Sequence, residues 1–218
     1  IDGLETVDYL TDESVLALSR RPARLVIAGG GPYALPYAQA MHRLGCAVTL
    51  IASGPLLDDM EPDQAAMLLS SLRAEGIAIE TQASILQVEP RGKTGALVHM
   101  RMEEAHEDRV IEASRFLVMR ERVPAVDGLD LSKAGAWTGP KGILVDAALR
   151  TRNRRVYAIG DVVGGFCTVG QAECHAAAVA HTILRGKRNG VGAAAAPRVM
   201  FTDPQIASIG LTEAQARD

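Results

Sequence analysis

The tightest constraint on this chain lies in residues 24–51. Arg24-Leu25-Val26-Ile27-Ala28 is short, apolar and β-favouring, as a strand buried on both faces must be. It runs directly into Gly29-Gly30-Gly31-Pro32. Leu35, Ala38, Met41 and Leu44 then recur at three-residue spacing up to Gly45, which reads as a helix. Ala47-Val48-Thr49-Leu50-Ile51 is a second strand. Strand, glycine turn, helix, strand is a βαβ unit: two parallel strands joined by a crossover expected to be right-handed.

The rest of the chain extends that unit. Residues 62–75 read as a helix (Ala65, Leu68, Leu69, Leu72) ended by Gly76, and Ile77-Ala78-Ile79-Glu80 as a third strand. The period then changes. Segments near 84–90, 96–103 and 108–112 read as short antiparallel strands, separated by Arg91-Gly92-Lys93-Thr94-Gly95 and a charged turn around Glu104–Asp108. Phe116-Leu117-Val118-Met119 returns to a buried-strand pattern. The expected fold is therefore α/β and Rossmann-like, a three-layer arrangement with an inserted three-stranded meander. Beyond Pro124 the chain is looser until Gly142-Ile143-Leu144-Val145. Arg150-Thr151-Arg152-Asn153-Arg154-Arg155 reads as a solvated basic loop. Val156-Tyr157-Ala158-Ile159-Gly160-Asp161 reads as a strand ending in Gly-Asp, followed by an alanine-rich helix over about 169–184. Residues 190–196 read as a linker, and 197–218 are too few for a domain.

Gly29-x-Gly31-x-x-Ala34 carries specific chemistry. The first glycine permits a tight turn, the second lets a pyrophosphate approach the backbone, and the small third residue lets helix and strand pack closely. The helix head offers unpaired N–H groups and positive partial charge to an anion. Pro32 suits a first helical turn, because its missing N–H would be unpaired anyway. The candidate dinucleotide cradle is thus Gly29, Gly30, Gly31, Pro32, Tyr33 and Ala34. At the end of the second strand an acid would receive the ribose hydroxyls of NAD, and a base would receive the 2′-phosphate of NADP. Ala52 and Ser53 occupy those places, and neither device is present. Asp58, Asp59 and Glu61 nearby would repel a phosphate, which leans the reading to NAD and keeps NAD(P) open. Asp161 is a second signal: a carboxylate at the end of a strand can accept hydrogen bonds from a polyol.

Composition removes other classes. The 218 residues carry 23 Lys+Arg against 26 Asp+Glu, a net charge of −3, so no strong field points to nucleic acid. Hydrophobic residues at 48% and charged residues at 22% argue against disorder. No apolar run is long enough to span a membrane. Cys46, Cys167 and Cys174 match no zinc ligand spacing and read as small buried thiols of a reducing cytoplasm. Ile1-Asp2-Gly3-Leu4 is no signal peptide and lacks an initiating Met, so the chain reads as a piece of something longer.

Taken together these motifs resemble the pyridine nucleotide–disulfide oxidoreductases, the flavoprotein family that includes dihydrolipoamide dehydrogenase, glutathione reductase and mercuric reductase. Ile27-Ala28-Gly29-Gly30-Gly31 resembles its second dinucleotide fingerprint. Tyr157-Ala158-Ile159-Gly160-Asp161 resembles its second FAD motif, whose aspartate holds the ribitol. Phe201-Thr202-Asp203-Pro204-Gln205-Ile206-Ala207-Ser208-Ile209-Gly210-Leu211-Thr212-Glu213 resembles the opening of its dimerisation domain.

The resemblance implies an order of domains: residues 1–22 a crossover from a flavin domain, 23–122 a NAD(P) domain, 123–196 the C-terminal part of the FAD domain, 197–218 the start of a dimerisation domain. It implies FAD and NAD(P) as cofactors, with Gly160, Asp161 and the helix-head residues Thr168 and Val169 on the flavin side. It implies hydride moving between nicotinamide and flavin, and onward to a disulfide or metal-ion acceptor. It implies a small-molecule or small-thiol substrate and a homodimer, with neither nucleic acid nor membrane as partner. The family's cysteine pair and its histidine–glutamate pair lie outside the residues matched. No catalytic residue and no metal ligand is therefore assigned, and His175 and His181 read as helix-face residues. Three positions depart from the family pattern: Pro36 stands where a glutamate lies near the nicotinamide, Glu121 where a glycine lies beside the cofactor, and Ala52 where an acid meets the ribose. The alternative reading is a nucleotide-binding or degenerate module without turnover.

Overall fold

The computed structural model describes residues 1–31, 33–58, 60–119, 123–164, 168–186 and 197–217. The chain divides into two compact units, Ile1–Glu121 with Met200–Ile206, and Arg122–Val199 with Ala207–Asp218.

In the first unit, β1 (Arg24–Ala28), β2 (Ala47–Ile51), β3 (Ala78–Glu80) and β7 (Arg115–Val118) form a four-stranded parallel sheet in the order β3-β2-β1-β7. Register runs Leu25 to Val48 and Leu25 to Arg115 on the two sides of β1. Side chains alternate across the pleat. Leu25 and Ile27 face one core with Leu50 and Leu117; Val26 and Ala28 face another with Ile51, Phe116 and Val118. Both faces are covered, which is why the strands read as unbroken apolar runs.

On the first face lie α1 (Ala34–Arg43) and α2 (Pro62–Glu75). Ala34, Leu35 and Ala38 of α1, and Ala65, Leu68 and Leu72 of α2, are buried against the sheet, one stripe of each helix. On the second face lies a meander of β4 (Ala83–Arg91), β5 (Gly95–Met102) and β6 (Glu107–Ala113), paired antiparallel in the order β4-β5-β6. Its Val88, Val98 and Met100 close the second core. Helices, parallel sheet and meander are the three expected layers. The N-terminal residues join this unit: Val88 N–H donates to Asp2 O at 2.8 Å, and Leu10 N–H to Phe116 O at 2.7 Å.

Residues 200–206 also belong here. Met200 and Ile206 enter the helix-side core. Buried Gln39 of α1 holds Asp203 by both backbone groups: its Nε2 donates to Asp203 O (2.8 Å) and its Oε1 accepts from Asp203 N (2.8 Å). The same Nε2 donates to Glu75 Oε1 at 2.7 Å, and Arg43 bridges Glu75 and Asp203.

The second unit contains the two-residue strands β8 (Thr138–Gly139) and β9 (Gly142–Ile143), a 3-10 turn over Gly160–Val163, and the long helix α3 (Val169–Arg185). Here one expectation fails. Residues 156–159 are no strand: they make only an isolated bridge, Arg150 to Tyr157. A strand needs a partner ladder, and this segment folds back on itself instead. Val156 N–H donates to Asn153 O, Thr151 N–H to Val156 O, and Ala158 N–H to Leu149 O. The basic loop is ordered by its own contacts. Arg150 pairs with Asp146 at 3.1 Å, and the Arg152 guanidinium lies 4.2 Å from the centre of the Trp137 ring.

Candidate functional site

The glycine turn follows β1 where the sheet order reverses, with β2 on one side and β7 on the other. In open α/β sheets that switch point is where the strand ends splay and a ligand crevice opens. Each glycine has its own reason to be there. Gly29 adopts φ +135°, and a Cβ on it would run into the carbonyl oxygen of Met119. That close approach is the backbone of the turn passing over the end of β7, so only glycine fits. Gly30 is exposed, but a Cβ on it would point inward, within 2.9 Å of Leu56 Cδ2 and 3.1 Å of Ala52 Cβ. Gly31 is exposed and has nothing within 4 Å of where its Cβ would stand. Ala34 is fully buried where α1 meets the sheet, and its N–H donates to Gly31 O at 2.9 Å. The arrangement leaves the Gly31 backbone openly approachable just ahead of a ten-residue helix. A diphosphate fits that chemistry, since it is anionic and needs close backbone contact.

Pro32 and Glu121 lie outside the described residues. Tyr33 is the residue before the helix and is half-buried. Pro36 falls at the third helical position, where a residue's N–H has no intrahelical acceptor, so the proline removes no helix bond. Of the pair after β2, Ala52 is buried beneath Gly30, with its N–H donating to Glu80 O at 2.9 Å. Ser53 is exposed.

Gly160, Asp161, Thr168 and Val169 gather in the second unit. Gly160 takes φ +74° and opens the 3-10 turn, with exposed Asp161 as its second residue. A carboxylate so placed accepts hydrogen bonds from hydroxyls, and the residues fit the polyol part of a flavin dinucleotide. Thr168 caps α3, its Oγ1 accepting from Gln171 N at 3.2 Å, and Val169 at the helix head is 79% exposed. The backbone around Gly142 also lies close to the turn. A Cβ on Gly142 would come within 2.9 Å of Gly164 N, and one on Gly164 would run into the Lys141 carbonyl.

His175 is more than a residue on a helix face. It is only 6% exposed, and its Nδ1 accepts from Gly160 N–H at 3.2 Å. Burial pushes its pKa below the usual histidine value, which keeps the ring neutral and Nδ1 available as an acceptor. The signal for this was present. Ala172, His175, Val179 and Thr182 share one face of α3 at helical spacing, and His175 and Thr182 are its buried residues. His181 is half-buried. Cys46 is buried, which pushes its thiol pKa up, and Cys174 is half-buried; both are free thiols, and Cys167 lies outside the described residues. Among the described residues no group of His, Cys, Asp and Glu could hold a metal ion, and no helix is long and apolar enough to cross a membrane.

Comparison with known proteins identifies the family. The family profile described as pyridine nucleotide-disulphide oxidoreductase matches residues 1–182. The mercuric reductase of Streptomyces lividans is 38% identical over 216 residues, covering 99% of this chain and 45% of that protein. The dihydrolipoyl dehydrogenase of Bacillus subtilis is 33% identical over 209 residues, 95% of this chain and 44% of that protein. Among solved structures, the HOCl-induced flavoprotein disulfide reductase RclA from Escherichia coli superposes with a TM-score of 0.86 at 25% identity, covering 100% of this chain and 49% of that one. The chain spans less than half the length of each of these relatives.

Proposed function

The chain belongs to the pyridine nucleotide-disulphide oxidoreductase family, and from that premise we propose that it is part of an FAD-dependent NAD(P)H oxidoreductase. The observation that carries this reading is the turn at Gly29–Gly31. It runs close over the Met119 carbonyl where only glycine fits, is open above Gly31, and is closed below by Ala34 at the switch point of a parallel sheet. When bound, the two cofactors supply hydride transfer between nicotinamide and flavin, and the protein supplies position and electrostatics.

The chain's own residues divide that work. Backbone around Gly29, Gly30 and Gly31 and the head of α1 hold the diphosphate of NAD(P); Ser53 stands where the adenosine ribose would lie. Asp161, set by the Gly160 turn, accepts hydrogen bonds from the flavin's polyol chain, with Thr168 and Val169 at the adjoining helix head. In this reading residues 23–122 form the nucleotide domain, 123–196 complete a flavin domain, 1–22 cross between them, and 197–218 begin a dimerisation domain. The names of the relatives, mercuric reductase and dihydrolipoyl dehydrogenase, favour a metal ion or a disulfide as terminal acceptor; a homodimer in the cytoplasm is part of the same proposal.

Titration of the folded protein with NADH and NADPH, followed by calorimetry, tests the reading. Saturable binding of either is expected. A folded sample that takes up neither at millimolar ligand would remove the dinucleotide site.

A further inference from the structure

We infer that His175 is a positioning residue for flavin binding: its Nδ1 holds the Gly160 N–H and so sets the direction in which the next residue presents the Asp161 carboxylate. The inference rests on the reading of Asp161 as a flavin contact. Gly160 is the point of the segment where the backbone turns left-handed, at φ +74°. Glycine is soft there, since both hands of φ are open to it. A soft residue directly before a ligand-binding carboxylate needs an external restraint.

The acceptor that restrains it is an imidazole 15 residues further along the chain, buried on the inner face of α3. Accepting at Nδ1 places the ring proton on Nε2 and fixes one tautomer. Ala172, one turn before His175, stands 3.7 Å from the site of a Gly160 Cβ, so the helix and the turn are in direct contact. The turn also lies close against the backbone around Lys141 and Gly142. The segment carrying Asp161 lies between α3, whose His175 grips the Gly160 N–H, and the backbone around Lys141 and Gly142.

The test compares His175→Leu and His175→Asn in the flavin-loaded protein. Leucine fills similar space and offers no acceptor. Asparagine can bring Oδ1 to the place of Nδ1. The readouts are hydrogen exchange at the Gly160 amide, the dissociation constant for FAD from flavin fluorescence, and the visible flavin spectrum. Leucine should speed Gly160 exchange and weaken FAD binding, each about tenfold, and shift the flavin spectrum. Asparagine should stay within about threefold of the parent protein on both scales, because it restores one neutral hydrogen bond. Unchanged FAD affinity in the leucine variant overturns the inference while leaving the flavin reading standing. So does an asparagine variant as weak as leucine, which would mean that ring shape and not the acceptor matters. Should the leucine variant not fold, nitrogen NMR of the parent protein decides: an unprotonated Nδ1 at about pH 7.5 is expected, and a protonated one overturns the inference. A parent protein that takes up no FAD removes the flavin reading and the inference with it.

Discussion

Gly29 and Gly31 stand two residues apart, yet adding one methyl group to each should have opposite consequences. At Gly29 the backbone is at φ +135° and a Cβ would meet the Met119 carbonyl. Gly29→Ala therefore carries backbone strain of about 1–3 kcal/mol. Forcing the turn away from β7 adds about 1–3 kcal/mol more. Against a total stability of about 5–15 kcal/mol that is a large loss. At Gly31 the backbone is not left-handed and nothing stands within 4 Å of the new methyl. Gly31→Ala should leave the fold intact and raise stability by about 0.4–1 kcal/mol, through lower entropy of the unfolded chain. The same methyl occupies the open approach where a diphosphate must touch backbone. Losing one charge-assisted hydrogen bond, about 1.5–3 kcal/mol, lowers affinity by about 10–150-fold. Urea denaturation followed by circular dichroism reads the stabilities, and calorimetric titration with NADH and NADPH reads the affinities. A Gly31→Ala protein that binds either nucleotide as well as the parent, or that loses more than about 1 kcal/mol of stability, refutes the assignment of the open face to the ligand.

Three further outcomes are expected. His175 has a pKa below its unfolded value near 6.5 because it is buried neutral, so the unfolded chain binds more protons in that window; stability should be full above about pH 6.5 and fall as pH drops toward the depressed value. His175→Asn should flatten that slope in urea titrations at a series of pH values, and an equal slope would contradict the burial argument. Gln39→Leu leaves the Asp203 backbone groups without their partner and should cost about 1–3 kcal/mol by thermal denaturation, while Arg43→Ala should cost less and respond to salt, because Arg43 is exposed. Ser53→Arg places a cation at the exposed end of β2 and should shift the ratio of NADPH to NADH affinity upward by about tenfold, read from paired titrations; no change in the ratio would place the ribose elsewhere.

Much of the first unit was legible because its signals are local. Leu25–Ala28 and Leu50–Ile51 are buried on both faces and show it as continuous apolar runs. The meander shows the change to alternation, with Val98 and Met100 buried two residues apart on β5. The glycine turn was legible because its residue types sit at a fixed spacing between a strand and a helix, although the reason for Gly29, the Met119 carbonyl, lies far along the chain. What escaped depends on hydrogen-bond partners that the residue pattern does not encode. Val156–Ile159 has strand composition, but its hydrogen bonds close onto Leu149, Thr151 and Asn153. Gln39 reads as an ordinary helix glutamine until Asp203, 164 residues later, arrives to satisfy its amide. His175 carries the helical spacing of a buried stripe, but its partner is a backbone N–H, which leaves no mark on composition.

The discontinuity of the first unit has a consequence for how the protein is made. Met200 and Ile206 complete a core whose other members all lie within residues 10–119, and the Gln39 amide waits for Asp203. At about 5–20 residues per second, a ribosome needs roughly 4–16 s to translate residues 122–199 before that last piece exists. During this interval the nascent first unit lacks Met200 and Ile206 over the helix-side core and leaves that apolar surface beside α1 and α2 uncovered. Ribosome-associated chaperones should find their docking place there, and it should close once residue 206 clears the exit tunnel.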